Sequence, residues 1–144
     1  MIQDKKVIIA IPIYRDLREE EIVALDNNLE ILRNYPTVLI KPTGLNTNAL
    51  KERYPQVGEI EVSNQWLGTI NGIMGYNEMM TSPDFYSLFN DYEYLLICQT
   101  DVWIFRDDLM KWIDMGIDLV GAPWPNRNMY LHFPMKQYLQ LKVK

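Results

Sequence analysis

Residues 94–105 read Tyr-Leu-Leu-Ile-Cys-Gln-Thr-Asp-Val-Trp-Ile-Phe, and this stretch decides the fold. The unbroken apolar run over residues 94–98 predicts a strand buried on both faces, as in a parallel sheet covered by helices. Gln99, Thr100 and Asp101 then end the run with polar side chains. Open α/β sheets bind ligands at this edge, outside the carboxyl ends of their strands. Asp101 is therefore the first candidate for contact with a ligand.

Apolar runs and helical patterns alternate along the rest of the chain. The runs predict buried strands at residues 7–13, 37–40 and 118–121, and polar alternation predicts a more exposed strand at 59–62. Helical patterns occupy the segments between them, at residues 16–35, 48–54, 69–80, 83–90 and 108–115, with a further helix at 136–143. This alternation indicates the α/β class, with a largely parallel sheet and helices on both faces.

Local signals predict where some helices begin and which residues share a side. Asp16 with Glu19 resembles a capping box, Ser82-Pro83 opens a later helix, and Asp107 can cap the helix at 108–115. Two sets of residues lie on one side of their helix, namely Ile22, Leu25, Leu29 and Leu32 in the first and Ile70, Ile73, Met74, Asn77 and Met80 in the helix at 69–80.

Length, charge and cysteine content narrow the function classes. The 144 residues suffice for one domain with a real core. A formal net charge of −5 argues against a nucleic-acid partner, which needs a basic patch. The single cysteine, Cys98, excludes an intrachain disulfide and is expected to be a small buried hydrophobe. The apolar run at residues 7–13 is too short to span a membrane, so the sequence predicts a cytoplasmic protein without a transmembrane segment.

The ends of the predicted strands gather cations, amides, aromatic rings and a carboxylate at one edge of the sheet. A glycine-containing helix start is expected beside them, because glycine allows close approach of a ligand or of another element. The mixture suits a nucleotide that carries phosphates, since an aromatic ring stacks on a base and cations or a metal bind the diphosphate. The candidate site consists of Pro12, Tyr14, Arg15, Lys41, Asn71, Tyr76, Asn77, Thr100 and Asp101.

Several of these residues also have a plain structural interpretation, which the sequence leaves open. Asp101 can simply cap a turn after its strand. Tyr14 and Trp103 can be packing residues. Arg15 and Lys41 can be solvated surface charges.

Motifs of several other chemistries do not occur in the chain. Neither G-x-x-x-x-G-K-[ST] nor G-x-G-x-x-G follows the first strand, which disfavours the common phosphate loops. No G-x-S-x-G or Cys–His–Asp arrangement supports covalent acyl chemistry. The single histidine, His132, is expected to be an ordinary, partly exposed side chain near the C-terminus.

Five blocks of sequence carry a resemblance to a known family. They are Val-Ile-Ile-Ala-Ile-Pro-Ile-Tyr at 7–14, Leu-Ile-Lys-Pro-Thr-Gly-Leu at 39–45, Gly-Tyr-Asn-Glu-Met-Met at 75–80, the region from Phe85 to Phe105, and Gly-Ile-Asp-Leu-Val-Gly-Ala-Pro-Trp at 116–124. In this order and spacing they resemble a family of glycosyltransferase-like proteins of unknown function, which is grouped with the GT-A nucleotide-sugar transferases. The resemblance implies a single GT-A-like, Rossmann-like domain.

The resemblance also implies roles for the candidate residues. Asp101 matches the Asp-x-Asp position, at which GT-A enzymes bind Mn²⁺ or Mg²⁺ on the diphosphate, but Trp103 stands where the second Asp would be. The implied nucleotide site has Pro12, Tyr14 and Arg15 bordering the nucleotide, Lys41 near it, Asn71, Tyr76 and Asn77 on the sugar-phosphate side, and Thr100 and Asp101 at the fourth strand end.

Family members continue past the Ala-Pro-Trp block into an acceptor-binding half that residues 126–144 do not resemble. We therefore expect a nucleotide-sugar-binding domain over residues 1–125, a tail over 126–144, and a fold that is incomplete at its C-terminus. No catalytic base is identified. The implied function is glycosyl transfer to a saccharide or other acceptor, as in polysaccharide biosynthesis.

The alternative is a non-catalytic nucleotide-binding or assembly module derived from a glycosyltransferase. It would act as a homo-oligomer or together with a complementary subunit, because apolar surface left by the missing half favours association. A nucleotide-binding α/β protein of another chemistry is a third alternative, which the absent phosphate loop disfavours.

Overall fold

The computed structural model of this protein describes residues 6–121. The chain divides into two compact units between Met110 and Lys111, of which the second is described only over residues 111–121. The predicted helix at 136–143, His132 and the predicted domain boundary at 125/126 lie outside the described residues.

The centre of the first unit is a parallel sheet, as the buried apolar runs predict. Its four strands are β1 (Val7–Pro12), β2 (Thr37–Pro42), β3 (Gly58–Val62) and β4 (Tyr94–Ile97). Over residues 6–121 their order across the sheet is β3-β2-β1-β4, and all neighbours are parallel. Strand β1 is central, with Ile9 opposite Thr37 of β2 on one side and Leu96 of β4 on the other.

Helices cover both faces of this sheet. The helices that precede β3 pack on one face, and those that follow β3 pack on the other. They are α1 (Glu19–Ile31), α2 (Asn48–Arg53), α3 (Gly72–Thr81) and α4 (Pro83–Ser87). Ile9 and Ile11 of β1 pack on one face with Leu25 of α1. Ile8 and Ala10 pack on the other face with Met79 of α3 and Phe85 of α4. The predicted α/β, Rossmann-like architecture is confirmed.

The first helix buries the predicted side but begins later than predicted. Leu25 and Leu32 are buried, and Leu29 packs against them. The N-cap is Arg18 and not Asp16, and the Arg18 N–H donates to the Glu21 carboxylate over 2.9 Å. Glu21 therefore completes the first turn in the way that a capping-box glutamate does. The prediction of Asp16 as the cap was wrong. A glutamate stands three positions after both Asp16 and Arg18, so the capping-box spacing fits either start of the helix.

The third helix differs most from its prediction. It begins at Gly72, whose φ of +52° is a left-handed conformation that ends any helix before it, so the predicted turn at residues 69–71 is absent. Its buried residues are Gly75 and Met79, whereas Ile73 and Met74 are exposed to 75% and 71%. The predicted apolar side was wrong because Gly75, having no side chain, lets the Gln65 carbonyl lie against the helix.

Ends of the remaining helices follow their local signals. The Ser82 hydroxyl caps α4 by accepting from the Asp84 N–H, with Pro83 in the first turn as predicted, although α4 stops at Ser87 and not at 90. The Asp107 carboxylate accepts from the Leu109 N–H at the start of α5 (Leu109–Asp114). Residues 118–121 are not a strand, which contradicts the prediction. Leu119 is 87% exposed. An apolar run forms a strand only where the backbone of a neighbouring strand pairs with its N–H and C=O groups.

Candidate functional site

The strand order creates a switch point between β1 and β4. Within the sheet, β2 and β3 lie to one side of β1, and the chain then returns so that β4 pairs with the other edge of β1. Ligands of open α/β sheets bind outside the carboxyl ends of the strands at such a point, because the connections leave the two ends in opposite directions. A ligand site is therefore expected after Pro12 and after Ile97.

A cleft of about 370 Å³ lies at this point. Residues that follow β1 and β4 form two of its walls, and the segment that leads into α3 forms a third. The lining residues are Pro12, Tyr14, Arg15, Glu21, Leu67, Gly68, Gly72, Ile73, Tyr76, Gln99, Thr100 and Asp101. The structure thus brings together six of the nine predicted site residues, namely Pro12, Tyr14, Arg15, Tyr76, Thr100 and Asp101.

A carboxylate from α1 ties the two strand ends together. Arg15 donates two hydrogen bonds to Glu21, from Nη1 to Oε2 over 2.7 Å and from Nη2 to Oε1 over 3.0 Å. The Thr100 hydroxyl donates to the same Oε1 over 2.8 Å. Glu21 is 7% exposed, so its negative charge has lost most of its hydration. The hydrogen bonds from Arg15, from Thr100 and from the Arg18 N–H compensate for this loss.

The donors around Glu21 shift its proton affinity strongly. Hydrogen bonds from Arg15 outweigh the effect of burial and, with those from Arg18 and Thr100, lower the pKa of Glu21 from 4.5 to about 2. Glu21 is therefore ionised throughout the neutral range and is a poor proton acceptor. It serves the cleft by holding Arg15 and Thr100 in place.

Arg15 remains available to a ligand although it is paired. Hydrogen bonds with Glu21 and then with Tyr14 raise the pKa of Arg15 above its ordinary value, so its charge is permanent. Its Nη1 also donates to the Asp16 carbonyl over 2.8 Å. A guanidinium has five N–H donors, and these bonds to Glu21 and Asp16 use three. The side chain is 35% exposed on the cleft side of the pair.

Aromatic and amide groups complete the walls. The Arg15 guanidinium lies 5.4 Å from the centroid of the Tyr14 ring, and Tyr14 is half exposed. Across the cleft, Gln99 Nε2 donates to the Tyr76 hydroxyl over 3.1 Å. Asp101 is exposed in the turn that follows Thr100. The cleft therefore offers a fixed cation, an exposed carboxylate and aromatic rings to one ligand.

Three predicted site residues lie elsewhere. Lys41 lies near the end of β2, on the far side of β1 from β4, and is not part of the cleft lining. It is buried and lies 3.5 Å from the carboxylates of both Glu59 and Glu61. Asn71 and Asn77 line a separate groove along α3, and Asn71 Nδ2 donates to the Gln65 carbonyl over 3.1 Å. The roles predicted for these three residues stay predictions.

Sequence reasoning missed Glu21 as part of the site and left Gln99 out of the candidate set. Glu21 stands with Glu19 and Glu20 in the first turn of α1, where an acidic side chain is favourable whatever it contacts. A signal does distinguish it, because Glu21 stands four residues before Leu25 and so shares the buried side of α1. A carboxylate on a buried side requires a partner. The cation that supplies it is Arg15, six residues before Glu21 in the sequence.

The fit of the cleft to a metal ion is limited. Among residues 6–121, no three His, Cys, Asp or Glu side chains stand together in a way that could hold a metal. Mg²⁺ needs only one or two carboxylates when phosphate oxygens and waters fill its other positions. Asp101, exposed at the cleft, fits a metal that arrives with a phosphate-bearing ligand.

Comparisons with known proteins give a family, and the structural likeness reported below is weak. The family model described as "Protein of unknown function (DUF5672)" matches residues 59–143, which is more than half of the chain. The crystal structure of S. aureus TarS 1-349 is 14% identical, with a TM-score of 0.44 over 84% of this chain, and this chain spans 38% of its length. A likeness this weak carries no argument. No curated protein matches the chain. In the described part of the chain, no helix has the length and apolar character needed to cross a bilayer.

Proposed function

We propose that this chain, which belongs to the family described as "Protein of unknown function (DUF5672)", is a GT-A-like domain that binds a nucleotide-diphosphate sugar in a glycosyl-transfer system. The observation that carries the proposal is the cleft at the β1/β4 switch point, where Arg15 and Asp101 follow neighbouring strands. The resemblance of the sequence blocks to GT-A nucleotide-sugar transferases supports the same assignment.

Each wall of the cleft suits one part of such a ligand. The half-exposed Tyr14 ring offers a stacking surface for a base. Arg15 offers its remaining N–H donors to the diphosphate, and a guanidinium held by Glu21 presents them in a fixed plane. Tyr76 and Gln99 offer a hydroxyl and an amide to the sugar side.

Asp101 would hold a divalent cation together with the diphosphate oxygens. Mn²⁺ and Mg²⁺ both accept such oxygen ligands. When bound, the cation neutralises negative charge on the leaving diphosphate. Asp101 contributes one carboxylate and Trp103 none, so most of the cation's ligands would come from the nucleotide and from water.

Isothermal titration calorimetry with UDP, GDP and CDP sugars, each with and without Mn²⁺, tests the proposal. We expect one nucleotide to bind, and its affinity to rise when Mn²⁺ is present. Asp101→Asn removes the Mn²⁺ effect, whereas the matched control Asp91→Asn, which changes an exposed carboxylate outside the cleft lining, does not. A well-folded sample that binds none of the nucleotides overturns the proposal.

A second candidate function is that of an assembly module that associates with another copy of itself. The observation that favours it is the apolar surface of the α3 region, where Ile70, Ile73 and Met74 are 65% to 75% exposed. Light scattering over a concentration series tests it. Self-association that Met74→Ser weakens would support an assembly role, and a monomer at all concentrations that binds a sugar nucleotide would exclude it.

A further inference from the structure

A polar side chain stands on the buried side of the first helix. Asn28 is 3% exposed, and it lies between Leu25 and Leu32 at helical spacing. Burial of an amide costs free energy unless its N–H and C=O groups find partners. The partners of Asn28 therefore explain why an asparagine stands where the pattern predicts an apolar residue.

The partners of Asn28 belong to the segment that follows Asp101. Asn28 Nδ2 donates to the Val102 carbonyl over 2.7 Å, and Asn28 Oδ1 accepts from the Ile104 N–H over 2.8 Å. A carbonyl can only accept and an amide N–H can only donate, so these two bonds fix the orientation of the Asn28 amide. The two bonds therefore hold the backbone on both sides of Trp103 to α1.

The preceding residue of the helix reinforces this contact. Asn27 Nδ2 donates to the Ile104 carbonyl over 2.8 Å and also to Asn28 Oδ1 over 3.1 Å. Both backbone groups of Ile104 are thus bonded to α1, and its side chain packs against the core on that face. The chain beyond β4 is held to α1 by these two side chains.

This contact fixes Asp101 from its C-terminal side. Val102 N–H donates to the Gln99 carbonyl over 3.3 Å, which closes a turn that contains Thr100 and Asp101. Thr100 is bonded to Glu21 of the same helix, so α1 holds the turn at both of its ends. A turn that is held at both ends presents the Asp101 carboxylate to the cleft in one place.

We propose that Asn28 is a positioning residue that sets the place of the Asp101 carboxylate for its ligand. The inference rests on the proposed function, in which Asp101 meets a divalent cation and a diphosphate. Asn28 itself is not part of the cleft lining and acts only through residues 101–104. A cation site with a single protein carboxylate depends strongly on where that carboxylate stands.

The first experiment measures the contact without any ligand. Amide hydrogen exchange at Ile104 is followed by NMR in the full chain and compared with exchange of the β1 amides. Asn28→Asp has the same shape and keeps an acceptor for Ile104, but it sets a carboxylate oxygen against the Val102 carbonyl. We expect exchange at Ile104 to accelerate by about tenfold relative to β1. Unchanged relative exchange overturns the positioning role.

The second experiment measures affinity for the sugar nucleotide that the wild type binds best, with and without Mn²⁺. Asn28→Asp is expected to lower the Mn²⁺-dependent part of the affinity by about tenfold and to leave the Mn²⁺-independent part unchanged. The matched control Leu25→Ala removes buried side-chain atoms from the same side of α1 but none of the hydrogen bonds to residues 102–104, so it lowers stability and leaves both affinities unchanged.

The outcomes separate the two proposals. A wild type that binds no nucleotide overturns the proposed function, while exchange at Ile104 still decides whether Asn28 holds the turn. Equal loss of affinity in Asn28→Asp and Leu25→Ala shows a general loss of structure and overturns the positioning role. Should Asn28→Asp fail to fold, Asn27→Ala replaces it, since it removes only the bonds to the Ile104 carbonyl and to Asn28, with about a threefold effect expected.

Discussion

Two polar clusters lie on the same sheet, and they differ in whether their charged groups are accessible to a ligand. At the β1/β4 end, Arg15 is bonded to Glu21, and the pair lines a cleft with Thr100 and Asp101. At the β2/β3 end, Lys41 is nearly enclosed. Its Nζ lies within 3.5 Å of two carboxylates, and it donates over 3.2 Å both to the Leu45 carbonyl and to the Thr47 hydroxyl.

The β2/β3 cluster is closed because its groups satisfy one another. Glu59 is bonded by Thr47 and lies 2.7 Å from Lys51 Nζ. Burial acts to raise the pKa of Glu59, but the bonds from Lys51 and Thr47 and the charge of Lys41 outweigh it, so this pKa lies below its ordinary value. A cation with every donor in use contributes to folding and has none left for a ligand.

Strand order explains the difference between the clusters. β2 and β3 are consecutive and neighbouring strands, and the segment that joins them supplies Leu45, Thr47 and Lys51 to the cluster. β1 and β4 are neighbours whose connections leave in opposite directions, and the space between them stays open. A cation near the end of a strand is accessible to a ligand only where the strand order leaves room beside it.

The largest expected effect tests the closed cluster. Lys41→Met leaves two carboxylates without their shared cation, and we expect the free energy of unfolding to fall by about 2–4 kcal/mol. Urea unfolding measures it. The control Lys51→Met removes a 55% exposed cation and is expected to cost about 1 kcal/mol or less. Lys41→Met with full stability and weakened nucleotide binding would reverse the comparison.

The next effect concerns acid stability at the open cluster. The pKa of Glu21 is lowered from 4.5 to about 2 by Arg15, so the unfolded chain binds this proton more readily than the folded one. The stabilisation is complete above pH 4.5 and is lost as the pH falls towards 2, with a total of about 2–3 kcal/mol. Unfolding free energies of wild type and Glu21→Gln, measured from pH 7 to pH 2, give its size by difference. Two curves that stay parallel below pH 4.5 would contradict this origin.

The third wall of the cleft, formed by the segment that leads into α3, depends on a close approach of two backbone segments. A Cβ atom at Gly75 would stand 2.0 Å from the Gln65 carbonyl oxygen, so Gly75→Ala must displace the segment that carries Leu67 and Gly68 of the cleft. We expect a loss of about 1–3 kcal/mol in urea unfolding, together with weaker nucleotide binding. Met74→Ala, on the exposed side of α3, is the control and should change stability by less than about 0.5 kcal/mol.

The smallest effect on stability is expected at Asp101. Asp101 is exposed, so Asp101→Asn should change the free energy of unfolding by less than about 0.5 kcal/mol, although it removes the Mn²⁺ dependence of nucleotide binding. Thermal unfolding with and without the nucleotide measures both. A large loss of stability in the ligand-free protein would show that Asp101 is a structural turn residue, like the alternative that the sequence left open.

The sequence predicted the strands and helices better than it predicted which of their side chains are buried. Apolar runs without polar alternation predicted three of the four strands, because a strand buried on both faces needs such a run, and polar alternation predicted the more exposed β3. The apolar side of α3 was predicted wrongly, since Ile73 and Met74 satisfy helical spacing as well as the buried Gly75 and Met79 do. Spacing alone does not say that a glycine will face the sheet, because the reason lies in the Gln65 carbonyl of another segment.

The sequence likewise pointed to some residues of the candidate site and missed others. Asp101 and Arg15 were found from the sequence, because polar residues that directly follow a buried strand must lie at the sheet edge. Lys41 meets the same criterion yet lies in the closed cluster. Glu21 and Asn28 were missed because each is bonded to residues more than 70 positions away, namely Thr100 for Glu21, and Val102 and Ile104 for Asn28.

The α/β class, the four strands and the polar character of their carboxyl ends follow from the amino-acid sequence, because they depend on local periodicity and on the burial of neighbouring residues. The position of β1 between β2 and β4 depends instead on how the chain folds, and with it the fact that Arg15 and Asp101 share a cleft while Lys41 is enclosed. Strand pairing joins residues that are far apart in the chain, and local spacing carries no record of which strands will be neighbours.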